Sequence, residues 1–123
     1  MADMTRTQVI FLLNRYRRNL AGVNLSGLNL AGLDFRGANL RSANLSGCNL
    51  AGCNFYRADL SGANLSCTNL AQANLEAATM ERTNLRDARM VLAFFGEPDF
   101  LTEFAAAQDD FIMSFDEVDF AIA

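Results

Sequence analysis

Cys48 and Cys53, five residues apart, and Cys67 are the only thiols in a chain that contains no histidine. A nucleophilic thiol needs a base beside it, and a closed zinc site needs four thiolate or imidazole ligands, so these three cysteines assemble neither. Read simply as reduced side chains, Cys48 and Cys53 are small fillers of an interior, and Cys67, placed to face outward, is the one thiol open to reaction. The fourteen acidic residues show no pair held as acid and base across a cleft. No catalytic residue, cofactor or metal ligand set therefore follows from the sequence, and the chain is expected not to be an enzyme.

The charges are distributed unevenly. All ten basic residues are arginines in the first ninety positions, whereas residues 91–123 hold eight acidic groups and no basic one. The body is therefore net positive and the tail strongly negative. No stretch reaches the roughly 18–20 apolar residues that span a membrane. The run VIFLL near the start is too short for a secretory signal core and leads into arginines, so a cytoplasmic location is expected.

What must position any functional side chain is a beat of five. Large apolar residues stand at every fifth position from Leu20 to Met90, fifteen of them without an insertion. The residue before each is Asn in eleven cases and Asp in two (Asp34 and Asp59). Two before, from Ala38 onward, the residue is always small, and seven of the eight glycines lie two after. Neither a helix, with its period of 3.6, nor a strand, with a period of 2, has this repeat. A short extended piece followed by a corner does: the large and small apolar residues point inward, and glycine takes the positive-φ position of a type II turn. Asn and Asp can bond the backbone at such corners.

Phenylalanine marks the number of sides. Phe35, Phe55 and Phe95 share one column with Leu75 if the coil repeats every twenty residues, which makes four sides per coil. One unit cannot bury its own apolar face, so stacked coils must supply the core. After Gly62 the corner column holds Cys67, Gln72, Ala77, Arg82 and Asp87. This predicts type II corners up to about residue 65, other corner types beyond, and a slight change of coil shape.

On these residues the chain resembles the pentapeptide repeat proteins, whose A(D/N)LXX units wind into a right-handed quadrilateral β-helix. The resemblance covers Leu20 to Met90 and implies an all-β solenoid of about four coils. It also supplies the handedness, which periodicity does not. The expected organisation is an N-terminal capping helix over residues 1–19, the β-helix over 20–95, and an acidic, Phe-rich segment over 96–123.

An open β-helix exposes unpaired strand edges and an apolar end, so both ends need cover. At the start, Thr5 and Gln8 match a capping box, and Val9, Leu12, Leu13, Tyr16 and Leu20 share a helical face. Val23, Leu28 and Leu33 fill the otherwise small column where that helix would sit. Arg15, Arg17 and Arg18 read as a solvated face. At the other end, Pro98 opens a helical pattern with the stripe Phe100, Phe104, Ala107 and Phe111. Phe115 and Phe120 then return to the five-beat, with Val118 and Asp119 in matching columns. Three readings of this tail stand: a folded cap, a segment that dimerises or docks a partner, and disorder. Seven phenylalanines in the last thirty-three residues argue against the last.

Phe100, Phe104, Phe111, Phe115 and Phe120 are thus the candidate interaction residues. Acids on the body are expected to pair with arginines one or two coils away, because Arg36, Tyr56 and Glu76 share an outer column, as do Arg41, Ser61 and Glu81. The leading functional reading is a non-enzymatic interaction or scaffold protein with an unidentified protein partner, no small-molecule substrate and no membrane, able to form a homodimer through the tail. The resemblance implies a second, a DNA-mimic that binds DNA gyrase as quinolone-resistance proteins do. Those mimics are longer and anionic along the rod, unlike this body. A third is nucleic-acid binding through the scattered arginines.

Overall fold

The computed structural model describes residues 2–14 and 18–96, and the backbone of 119–121. Its named elements are a helix α1 (Arg6–Leu13) and two short strands, β1 (Arg89–Val91) and β2 (Asp119–Ala121). Between α1 and β1 the chain is a run of single parallel bridges, each joining residues twenty apart, from Asn19 with Asn39 to Asn74 with Phe94. That spacing is the four-sided coil. We name its sides after the first large residue on each: Leu20, Leu25, Leu30 and Phe35.

The interior is filled. The large residues from Leu20 to Leu75 are fully buried at every fifth position, and the small column between them (Ala38, Ala43, Cys48, Cys53, Ala58, Ala63) is buried with them. Phe35 and Phe55 stack with ring centroids 4.9 Å apart and planes at 8°. This separation is close to the ~4.8 Å between hydrogen-bonded strands, so the side-chain ladder and the backbone ladder share one repeat. Each buried large side chain contributes about 1.5–3 kcal/mol. Polar atoms in the small column are satisfied inside the tube. The Cys48 and Cys53 thiols donate to the Leu25 and Leu30 carbonyls, both at 3.0 Å, and the Thr83 hydroxyl donates to the Leu60 carbonyl at 2.7 Å.

The Asn column closes each corner. All eleven asparagines and both aspartates accept, through a side-chain oxygen, the amide N–H two residues ahead; Asn64 Oδ1, for example, takes the Ser66 N–H at 3.0 Å. A side chain here satisfies a donor that the turn leaves open.

The expected change of corner type is not found. Corner residues without glycine, including Cys67, Gln72, Ala77, Arg82 and Asp87, keep positive φ of 58° to 62°, against 65° to 76° at the corner glycines Gly22 to Gly62. The turn bond persists too, Cys53 N–H to Leu50 carbonyl before Gly62 and Ala78 N–H to Leu75 carbonyl after, both 3.1 Å. Bonds to the neighbouring coil are equally constant, 2.8 Å from Gly52 to Ala71 and 2.9 Å from Gln72 to Val91. Stacking on a uniform ladder imposes the corner, and residues with a Cβ accept the left-handed conformation.

The N-terminal edge is closed by α1 and by side chains. Thr5 and Gln8 form the reciprocal capping box. Val9 and Leu13 are buried, and Met4, Leu12, Val23, Leu28 and Leu33 pack partly buried against the core. The backbone groups that the first coil would leave open find partners: Asp3 N–H donates to the Asn24 carbonyl, and Asp3 Oδ2 accepts the Asn24 N–H. Arg6 donates to the Asn29 and Ala31 carbonyls at 2.9 and 3.1 Å. Arg18 donates to the Asp34 carbonyl and pairs with its carboxylate. Arg18 is thus an edge cap and not part of a solvated face, a correction whose cause is the unmet carbonyls of an open sheet edge. Arg15, Tyr16 and Arg17 lie outside the described residues.

At the opposite end β2 pairs in parallel with β1, Arg89 with Asp119, Met90 with Phe120 and Val91 with Ala121.

Candidate interaction surface

With the interior filled, the surfaces on which another molecule can act are the outward columns and the two ends. Outward columns follow from the period of twenty: each corner carries two side chains, and each side one Asn-column residue.

Sorting the charges by side gives an uneven result. Between Asn19 and Leu85 there are eight charged residues, and all fall on the Leu20 side, its two corners or the adjoining Phe35 side. They are Asp34, Arg36, Arg57 and Glu76 toward the first corner, with Asp59 on the side itself and Arg41, Glu81 and Arg82 at the second. The Leu25 and Leu30 sides over the same span present neutral groups, mostly small ones such as Ser26, Ser46, Ser66, Ala31, Ala51 and Ala71 beside asparagines and Gln72, and carry charge only beyond it, at Arg86, Asp87 and Arg89.

Within the charged region, some groups neutralise one another. The Arg36 guanidinium donates to both Asp34 oxygens at 2.9 and 2.8 Å, and Arg41 bridges to Asp59 at 3.0 Å. The side-chain bonds from Arg36, assisted by its amide and by Arg18, hold the Asp34 carboxyl at about 2 despite some desolvation. Desolvation is the largest influence on Asp59 and raises it, yet Ser61, whose amide donates to the carboxylate at 3.0 Å, and Arg41 together bring its pKa below the usual value. Arg57 is different. It stands at a corner with φ of +59°, lies over the Tyr56 ring at 5.3 Å, and makes no ion pair among the described residues. Glu76, Glu81 and Arg82 likewise have no ion-pair partner among the described residues. The expected pairing of Arg36 with Glu76, two coils apart, does not form; Tyr56 stands between them, and the nearer Asp34 takes the guanidinium.

The thiols sit as expected. Cys48 and Cys53 are buried and Cys67 is exposed at a corner. Burial pushes the Cys53 thiol up to about 11 and raises Cys48 as well, so neither is a nucleophile at neutral pH. Among the described residues no group of histidine, cysteine or carboxylate side chains could hold a metal ion. No helix among them is long and apolar enough to cross a membrane.

Of the phenylalanines singled out from the sequence, Phe100, Phe104, Phe111 and Phe115 lie outside the described residues. Phe120 is placed by its backbone in β2, opposite Met90. Asp119 and Phe120 therefore occupy the polar and large columns that the five-beat assigns them. The side differs from an unbroken count of twenty, however, which would put Phe120 on the Leu20 side, in the column of Leu60 and Met80. A linear reading of the sequence leaves the arginines scattered and does not single out Tyr56 and Arg57 as a site. The signal is present: sorting outward residues by their remainder on division by twenty gathers eight of the charged residues around the Leu20 side, with Arg86, Asp87 and Arg89 of the last coil elsewhere.

Comparison with known proteins agrees with this geometry. The family model described as pentapeptide repeats matches residues 19–55 and 53–90. A solved pentapeptide repeat protein of the Arabidopsis thaliana thylakoid lumen is 26% identical over 85% of this chain and 82% of its own, with a TM-score of 0.67. HetL, a pentapeptide repeat protein involved in heterocyst differentiation regulation in the cyanobacterium Nostoc, is 28% identical over 63% of this chain and 44% of its own, at a TM-score of 0.55. QnrB1, a plasmid-mediated fluoroquinolone resistance protein, aligns over 83% of this chain and 55% of its own at 16% identity and a TM-score of 0.33. No curated protein matches the chain at a significant level. The twenty-residue coil, the Asn-stapled corners and the family match together make the chain a right-handed quadrilateral β-helix, and it belongs to the pentapeptide repeat family.

Proposed function

We propose that the protein is a non-enzymatic interaction or scaffold protein acting through the outer faces of its β-helix. The observation that carries this reading is the filled tube: Leu and Phe columns with no exposure from Leu20 to Leu75 leave no lumen for a substrate, only flat outer sides and ends. Flat, rigid solenoid faces are surfaces on which other proteins dock. A cytoplasmic setting is part of the proposal, supported by three free thiols. The test is photo-crosslinking in the source cell, with a crosslinker placed in turn on each side of the tube. The expected result is a discrete protein adduct from at least one side. Failure of every position to trap a protein would overturn the reading.

A second reading, self-association through residues 96–123, is favoured by β2. Its strand reaches β1 only after a long excursion from Val91 to Asp119, so a second copy could supply the same strand. The mass in solution of the full chain, compared with one ending at Gly96, decides it: the dimeric reading requires a dimer that becomes a monomer. The gyrase-binding DNA-mimic has less support, because the four arginines and four acids on the charged sides between Asn19 and Leu85 cancel, leaving no anionic rod.

A further inference from the structure

We propose that the partner docks on the Leu20 side and its two corners, and that Arg57, braced by Tyr56, receives a carboxylate of an acidic segment on that partner. This rests on the interaction reading above and assigns its surface.

Three observations converge. The first is the clustering of charge: from Asn19 to Leu85 every charged residue lies on or beside this one side, and charge reaches the Leu25 and Leu30 sides only in the last coil, at Arg86, Asp87 and Arg89. The Arg36–Asp34 and Arg41–Asp59 pairs account for part of this clustering, and they leave Arg57 without an ion pair among the described residues. Over the same span the other sides offer mainly serine, alanine, glycine and asparagine; tyrosine and arginine are the residues that dominate protein interfaces.

The second is the position of Arg57. Corner positions from Gly22 to Gly62 are glycine at all but two places, Ser42 and Arg57, and both exceptions have φ of +59°. A residue with a Cβ in the left-handed region costs about 1–2 kcal/mol relative to the right-handed one. Both exceptions border the Leu20 side. The coils after Gly62 carry the same φ without glycine, so what marks Ser42 and Arg57 is that they alone keep a side chain at the corners of the glycine half.

The third is the unmet charge. Arg36 and Arg41 are occupied by Asp34 and Asp59, and the residues stacked above and below Arg57 in its column, Gly37 and Ala77, are too short to reach its guanidinium. Among the described residues nothing pairs with the Arg57 guanidinium, which lies over the Tyr56 ring at 5.3 Å. A free fork of this type matches a carboxylate with two parallel bonds. Glu76 lies one coil below Tyr56, which orients the partner: its acid must sit toward Arg57 and away from Glu76.

The test uses the full chain, isotope-labelled for NMR, titrated with a short peptide of alternating glutamate and serine. Its lysine counterpart and a DNA duplex serve as comparison probes. The expected shift changes centre on Arg36, Arg41, Tyr56 and Arg57 and are absent at Ser46, Ala51 and Ser66. Arg57→Gly, which installs the residue that most of this column carries and so keeps the fold, should weaken the acidic peptide about two- to fivefold, the value of one exposed charge pair. Tyr56→Ala should weaken it as well. Shift changes on the Leu25 or Leu30 sides, an unchanged affinity in Arg57→Gly, or tighter binding of the lysine peptide would each overturn the proposal, as would preferential binding of the duplex at the same residues. Crosslinkers at positions 56 and 46 in the cell separate the two levels. Protein adducts from position 46 and none from 56 would remove this surface and leave the interaction reading standing; adducts from neither would remove this surface, and silence on every other side as well would remove both.

Discussion

The coils before and after Gly62 are built from different corner residues and have the same corner. In the first half glycine holds the positive-φ position almost throughout, and in the second half Cys, Gln, Ala, Arg and Asp hold it at φ values a few degrees lower. Hydrogen bonds to the neighbouring coil have the same lengths in both halves. Glycine therefore does not create the turn. The stacked ladder and the Asn staple create it, and glycine only removes the strain of a Cβ.

Removing what both halves share should have the largest effect. Phe55→Ala takes away one ring of the stacked pair in the glycine half and should destabilise by about 3–5 kcal/mol, and Leu75→Ala in the other half by about 2–5 kcal/mol, both read from denaturant unfolding. Similar losses with a single transition would show that one continuous core binds the halves; separate transitions would break the comparison. The corners themselves come next. Gly52→Ala meets no atom within 4 Å, so its cost is backbone strain alone, about 1–2 kcal/mol. Ala77→Gly, the reverse change at a φ of +60°, should shift the denaturation midpoint the other way, stabilising by up to about 1 kcal/mol. Equal signs for the two changes would mean that the halves do not share one corner.

The staple should matter to a similar degree wherever it is cut. Asn44→Ala and Asn84→Ala each orphan a corner amide, at Ser46 and Arg86, and should each cost about 1 kcal/mol in thermal or chemical unfolding. The smallest effect belongs to Asp34. Its folded pKa of about 2 lies below the ordinary 3.8, so its contribution is complete above pH 4 and disappears as the pH falls through 2. Asp34 is nearly half exposed, so solvent screening keeps that contribution small. Asp34→Asn should flatten the acid limb of the stability profile and leave stability at pH 7 within a few tenths of a kcal/mol; an unchanged acid limb would remove Arg36 as the cause of the depressed pKa.

Much of this is legible in the sequence. The large, small and Asn columns identify what points inward and what turns the corner, because each role recurs at a fixed local spacing. The twenty-residue coil follows from Phe35, Phe55 and Phe95. The charged side was also within reach, since sorting by twenty isolates Arg57 and its neighbours, although a linear reading sees only dispersed arginines. The candidate phenylalanines of the tail were a different matter: Phe115 and Phe120 keep the five-beat, but Phe120, the only one with a described place, pairs with Met90 and so leaves the count of twenty.

By itself, then, the order of residues determined the repeat, the filled interior and which side chains face solvent. These depend on contacts within one unit or between units a constant distance apart. The tertiary structure alone decided that corners without glycine keep positive φ, that Arg6 and Arg18 turn to the carbonyls of the first coil, and that Phe120 in β2 pairs with Met90 instead of continuing the Met80 column. Each of those outcomes is set by an unmet backbone group at a corner or an edge. Where such a group finds its partner depends on what the folded chain brings within hydrogen-bonding distance, and no spacing along the sequence encodes it.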